Sequence, residues 1–276
     1  MLEEGQGLMT AKEGETMPNR LRVERLGDLA VFTLSYVQRA NALDDRLLLA
    51  LREAIHDAAA SGARVGVLTG AGRVFCAGYD LHALPSSPSP EWLRGHGELE
   101  ETLRLLREGP LPMVAALSGP AIGAGLELAL SCDLRVAHKE VIVQMPPVKL
   151  GIVYTLEGLW RLVTLCGAAR TRELLLLAQP LLAETAHEYG LISRIVEASE
   201  VLETAMTLAR QIAAQPPAAI HGTRQLLEHL LQHGPMASRE ELERLLGVRQ
   251  SAWESPEGKT ARAQLQLRVR SAQKPK

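Results

Sequence analysis

Aromatic side chains are scarce: Phe, Tyr and Trp together make up 3% of the 276 residues. Leu, Ala and Val must therefore fill whatever core the chain forms. Cysteine is rarer still. Cys76, Cys132 and Cys166 are odd in number, far apart and in no paired spacing, so they provide neither a disulfide framework nor a zinc signature. A reducing cytoplasm is the expected location, and no metal is expected. No apolar run reaches the roughly 18 residues needed to span a bilayer. The first residues, MLEEGQGLMTAKEGETMPNR, lack the apolar stretch of a secretory signal. An excess of positive charge is missing too: 30 Lys and Arg against 32 Asp and Glu leave a formal net charge of −2. That balance argues against a nucleic-acid partner, which needs a basic surface. The basic run from Arg262 to Lys276 is explained better as a solvated tail. Neither nucleic acid nor membrane is expected as a partner.

What is present is ordinary for a globular protein, with 46% hydrophobic and 22% charged residues. The length suits one large domain, or a domain with a sub-domain. Residues 1–18 are polar and read as a disordered tail. Leu21–Arg25 alternates apolar and polar, Gly27-Asp28 turns, and Leu29–Leu34 follows, predicting a hairpin. Asp44 is placed as N-cap of a Leu- and Ala-rich helix to about Ala60. Val65–Thr69 reads as a buried strand and Met113–Leu117 as another. A helix is expected from about Glu91 to Arg107, after a Pro- and Ser-rich loop at 85–90. Ile122–Ser131 reads as a helix and Asp133–Ala137 as a strand. This alternation predicts repeated ββα or βαβ units, an α/β fold. From Val201 the pattern turns helical: Val201–Gln215, Ala218–His233 and Ser238–Trp253, with Thr260–Lys276 expected to be frayed. The composition shift near residue 200 divides a core, 19–200, from a helical region, 201–276.

Two small-residue segments point to chemistry. One is Phe75-Cys76-Ala77-Gly78-Tyr79-Asp80-Leu81. The other runs Gly119-Pro120-Ala121-Ile122-Gly123-Ala124-Gly125-Leu126-Glu127-Leu128-Ala129 and on to Cys132-Asp133. The first amides of a helix have no internal partner and sit at the positive end of its dipole. Small residues let a ligand oxygen approach such amides closely. Two amides from different segments would make an oxyanion hole. The plain alternative is that the glycines serve only tight turns. Gly123-Ala124-Gly125 is not a dinucleotide fingerprint, and no Gly-Lys-Ser/Thr follows to make it a phosphate loop.

Taken together, the segments closely resemble the enoyl-CoA hydratase/isomerase (crotonase) family. That family's pattern of Phe-x-Ala-Gly-x-Asp-Leu, Gly-x-x-x-Gly-Gly-Gly-x-Glu-Leu-Ala and Cys-Asp is matched nearly throughout. Asn41-Ala42-Leu43 matches its early loop, and Ala186-x-x-x-Gly190-Leu191-Ile192 a later segment. The resemblance implies a spiral of ββα turns with a C-terminal helical trimerisation region, assembled as a homotrimer or a dimer of trimers. It implies that the backbone amides of Tyr79 and Ala124 hold the oxygen of an acyl-CoA thioester. Arg39, Ala40, Ala42, Ala77, Asp80 and Leu81 fall where the family binds coenzyme A, which the substrate itself carries; no separate cofactor is implied.

The chain departs from the family's hydratases at one position. Those enzymes position water with two glutamates. Glu127 stands at the first position, but Pro147 stands at the second and cannot transfer protons. The segment Met145-x-Pro147-Val148-x-Leu150-Gly151-x-x-Tyr154-x-Leu156-x-Gly158 resembles the methylmalonyl-CoA decarboxylase branch. That likeness implies a lyase acting on a malonyl-type thioester, with Tyr154 orienting the substrate carboxylate. Loss of CO2 gives an enolate without a strong base. The branch carries His where this chain has Tyr79, which could replace it as a hydroxyl donor or shape the acyl pocket. Plain readings stand beside each role: Glu127 as a helix residue paired with an Arg, Tyr154 as a wall residue, His82 as a surface residue, and Glu157 as a solvated helix charge rather than a second carboxylate. A hydratase using Glu127 alone, and an inert acyl-CoA-binding relative, remain as alternatives.

Overall fold

A computed structural model describes residues 20–83, 97–233 and 239–272. The expected N-terminal tail, the Pro- and Ser-rich loop and the first turns of the helix expected from Glu91 lie outside the described residues. Strands β1 (Leu21–Leu26), β2 (Leu29–Leu34), β3 (Val65–Gly70), β4 (Met113–Leu117), β6 (Leu134–His138) and β9 (Arg194–Val196) form one sheet in the order β1-β2-β3-β4-β6-β9. The β1–β2 hairpin is antiparallel and every later pairing in this sheet is parallel. A smaller sheet orders β5 (Ala121–Ile122), β7 (Ile142–Gln144) and β8 (Leu181–Leu182) as β5-β7-β8. The helices are α1 (Asp45–Ala60), α2 (Glu98–Glu108), α3 (Ala124–Leu130), α4 (Leu156–Arg172), α5 (Ala183–Glu188), α6 (Val201–Ala213), α7 (Pro217–His233), α8 (Arg239–Glu254) and α9 (Pro256–Ala272).

Strands β2, β3 and β4 of the large sheet are buried on both faces, which is why they read as apolar runs, whereas edge strand β1 is largely exposed and alternates. Strand periodicity still sorts the side chains. Leu29 and Val31, Val65 and Val67, Val114 and Ala116, and Val136 share one face. Val201, Ala205, Ala209 and Ala213 of α6 cover that face at an i, i+4 spacing, all small enough for the helix to lie close. The compositional break near residue 200 is therefore not a break in the core. On the opposite face Ala30, Phe32, Leu34, Leu68, Ala115 and Leu117 join Leu47, Leu48, Leu51 and Ile55 of α1 and Leu103 and Leu106 of α2. Each such buried Leu, Ile or Phe side chain contributes roughly 1.5–3 kcal/mol.

Two expectations are corrected. Ile122 is not helical: it belongs to β5, where its N–H is held by the Cys76 carbonyl at 3.0 Å, and α3 begins at Ala124. The segment from Thr260, expected to be frayed, continues α9 to Ala272. The expected N-cap is present: Asp44 accepts from the Leu47 amide at 2.9 Å.

Candidate active site

The two small-residue segments meet edge to edge. Cys76 bridges Ala121, and Leu43 of the early loop bridges Tyr79. Leu43 N–H donates to Gly78 O at 2.8 Å, Asp80 N–H to Leu43 O at 2.7 Å, and Ala77 N–H to Ala40 O at 3.0 Å. Residues 40–43 and 77–80 thus form one ledge. Asn41 anchors it from beneath. Fully buried, its amide nitrogen donates to Ala71 O at 2.9 Å and Val74 O at 2.7 Å. On this ledge Arg39, Ala77 and Leu81 are exposed and Ala40, Ala42 and Asp80 half-buried. The structure therefore gathers all six residues expected to meet coenzyme A.

Two glycines make the junction possible. Gly78 has φ +102°, and a Cβ there would stand 2.8 Å from Ile122 O and 3.6 Å from Ala124 N. A Cβ on Gly125 would stand 2.4 Å from Cys76 O. Contacts this short do not occur, so only glycine lets α3 lie against the 76–79 segment. The amides of Tyr79 and Ala124 are thereby held at one junction. Among the described residues neither donates to the backbone, whereas the flanking Gly123 N–H donates to Gln144 O at 2.8 Å and Asp80 N–H to Leu43 O at 2.7 Å. Two unpartnered donors at one place are what a ligand oxygen requires.

The side chains around this junction are not arranged as a pair of free glutamates. Glu127 is buried and forms an ion pair with buried Arg161 of α4 through Oε2; its Oε1 is buried without a partner. The reading of Glu127 as an Arg-paired residue is thus the arrangement seen. Burial and neighbouring Arg107 lower the Arg161 pKa to about 10, which leaves it charged at neutral pH. Pro147 sits in a single 3-10 turn, Pro147–Leu150, and offers no proton-transferring group. Tyr154 packs its ring on Gly158, and its hydroxyl is buried without a partner. Burial, then nearby Glu100, raises its pKa.

Tyr79 and Glu157 have different surroundings. The Tyr79 hydroxyl donates to Asp45 at the start of α1. Burial and that bond raise its pKa. Its hydroxyl is therefore engaged with Asp45, which bears on the first of the two readings of Tyr79, a hydroxyl donor or a residue that shapes the acyl pocket. Glu157 is exposed and lines a cavity of about 900 Å³ with Arg107, Ser131, Trp160 and Glu228, and Arg161 of the Glu127 ion pair lines the same cavity. His82 is exposed, its amide held by Asp80.

The order of these motifs and their junction are matched by known proteins. The enoyl-CoA hydratase/isomerase family profile fits residues 24–263. The chain belongs to that family. A probable enoyl-CoA hydratase of Mycobacterium bovis is 38% identical over 191 residues, 69% of this chain and 74% of its own length. Methylmalonyl-CoA decarboxylase of Escherichia coli is 29% identical over 237 residues, 85% of this chain and 90% of its own. The crystal structure of an enoyl-CoA hydratase subunit from Geobacillus kaustophilus superposes with a TM-score of 0.80 at 28% identity, covering 93% of this chain and 97% of that one. The family is one of acyl-CoA enzymes, and the crotonase fold inferred from the motifs is the fold observed.

Sequence reasoning missed two residues. Arg161 was legible in part: it falls in the buried stripe Gly158, Arg161, Leu162 of α4, where a charge demands a partner. Glu100 carried no signal, because it stands with Glu98 and Glu101 in the first turn of α2, where acids are ordinary. Among the described residues no three His, Cys, Asp or Glu side chains are grouped to hold a metal, and no helix is long and apolar enough to cross a membrane. Burial pushes the Cys76 and Cys132 thiols up to about 12, so neither is a nucleophile at neutral pH.

Proposed function

We propose that this enzyme is a lyase that decarboxylates a malonyl-type CoA thioester through an enolate. The observation that carries the reading is the pair of unpartnered amides, Tyr79 N–H and Ala124 N–H, beside a glutamate already committed to Arg161. Such a site stabilises negative charge on the thioester oxygen, while the ion pair holds Glu127 back from acting as a free base. Decarboxylation needs none. The electrons of the C–COO⁻ bond flow toward the thioester carbonyl as CO2 leaves, and the charge that develops on oxygen meets the two amides. Each such donor is worth about 2.7–4 kcal/mol in the transition state. Tyr154 supports the reading with a buried, unpartnered hydroxyl suited to the departing carboxylate. Arg39, Ala40, Ala42, Ala77, Asp80 and Leu81 would face the coenzyme A portion. Exposed Leu227, Leu230, Leu231, Leu246 and Trp253 on α7 and α8 suit assembly as a homotrimer or a dimer of trimers. The balanced charge and three buried free cysteines fit a cytoplasmic enzyme.

A second reading, an enoyl-CoA hydratase using Glu127, is favoured by the unpartnered Oε1 of that residue and by the hydratase names of the more identical relatives. A turnover screen of methylmalonyl-, ethylmalonyl- and crotonyl-CoA separates the two. CO2 release without loss of enoyl absorbance, weakened about tenfold or more by Tyr154→Phe, is the expected result. Hydration of crotonyl-CoA without CO2 release overturns it. Binding of all three without turnover leaves an inert acyl-CoA-binding protein.

A further inference from the structure

An enolate held by two amides must still receive a proton at its α-carbon, whether it arises by loss of CO2 or by addition of water. The other side chains considered for this step are engaged, exposed or without a proton. Pro147 has no transferable proton, Glu127 is tied by Oε2 to Arg161, the Tyr79 hydroxyl is bound to Asp45, and Glu157 is exposed.

One acid remains. Glu100, in the first turn of α2, is half-buried and accepts a hydrogen bond from Thr155 Oγ1 at 3.2 Å. Thr155 is the N-cap of α4, where the same hydroxyl also accepts from Gly158 N–H at 3.2 Å. Thr155 adjoins Tyr154, whose orphaned hydroxyl lies within the electrostatic reach of Glu100. Arg161 joins the group: it pairs with Glu127 and also acts on Glu100. Thr155 thus ties half-buried Glu100 to the segment that carries the orphaned Tyr154 hydroxyl, and the helix that starts there, α4, carries the Arg161 that pairs with buried Glu127. The groups acting on Glu100 are Arg161 and Glu157 from α4 and Arg107 from its own helix. Burial outweighs the two arginines and holds Glu100 above the ordinary carboxylic-acid range, which keeps more of it protonated than a solvated glutamate.

We propose that Glu100 is the second carboxyl of this site and the proton donor to the enolate α-carbon. The enolate electron pair takes the carboxyl proton: a C–H bond forms at the α-carbon, the Glu100 O–H bond breaks, and the thioester carbonyl re-forms between the two amides. The carboxylate left behind is stabilised by Arg161 and the Thr155 hydroxyl until water reprotonates it. In the reverse direction the same carboxylate removes an α-proton. This inference rests on the acyl-CoA reading above.

The test is α-deuteration of butyryl-CoA in D2O by the full-length protein, followed by mass spectrometry across pH, with butyryl-CoA affinity measured in parallel. Glu100→Gln should slow exchange by about a hundredfold or more and flatten its pH dependence, while affinity changes by less than about threefold; Glu100→Asp should restore part of the rate. Exchange by Glu100→Gln at the wild-type rate with the wild-type pH profile overturns the role of Glu100 while leaving the acyl-CoA reading standing. Wild-type protein that binds butyryl-CoA but exchanges nothing also overturns it. Wild-type protein that binds no acyl-CoA overturns the functional reading itself, and the proposal with it.

Discussion

Replacing Arg161 by Met isolates the cost of the buried ion pair. The side chains of Arg161 and Glu127 are 9% and 3% exposed, so water screens the pair little. Met nearly preserves the volume, which keeps the cavity contribution small. What remains is a buried carboxylate with no cation, its Oε1 already without a partner. Removing one member of such a pair costs about 3–5 kcal/mol. For a chain of this length each kcal/mol lowers Tm by about 2 °C, giving a fall of about 6–10 °C. The decisive control is the double variant Glu127→Gln/Arg161→Met, which removes the charge along with its partner. It should recover at least about half of the loss. The assay is thermal and urea unfolding at one fixed protein concentration, since assembly would make Tm concentration-dependent. A loss below about 1 kcal/mol for Arg161→Met, or a double variant no more stable than the single one, would refute the reasoning.

Two further outcomes are expected. Gly125→Ala places a methyl 2.4 Å from Cys76 O and must push α3 from the 76–79 segment. Turnover should drop about a hundredfold, since the two amides no longer converge, against a stability loss of about 1–3 kcal/mol; wild-type turnover in a folded variant would show that the junction does not set the reaction. Glu100→Gln should become more stable relative to wild type as pH rises. The folded-state pKa of Glu100 lies above its unfolded value, so its contribution is fully present below the unfolded pKa and is lost as pH rises through the folded one. Melts at about pH 4 and about pH 8 should show a Tm difference that widens at the higher pH; a constant difference would mean that Glu100 is not desolvated.

The sequence by itself determined the local units. Asp44 before an apolar-periodic run set the start of α1, and Gly27-Asp28 between two strand-like runs set the hairpin. The paired small-residue segments already implied two backbone amides of matching purpose, because glycine spacing is a backbone property and is written locally. Boundaries failed where neighbours decide. Ile122 lies in apolar surroundings that suit either state, and its bond to Cys76 O made it a strand. An arginine partner for Glu127 was conceivable from the sequence, but which side chains meet was a matter for the tertiary structure. Nothing in the sequence tells that Glu127 meets a residue 34 positions away, that Tyr79 turns to Asp45, or that Glu100 belongs with Tyr154. Charge pairing and burial depend on which helices pack together, and a local pattern carries no record of that.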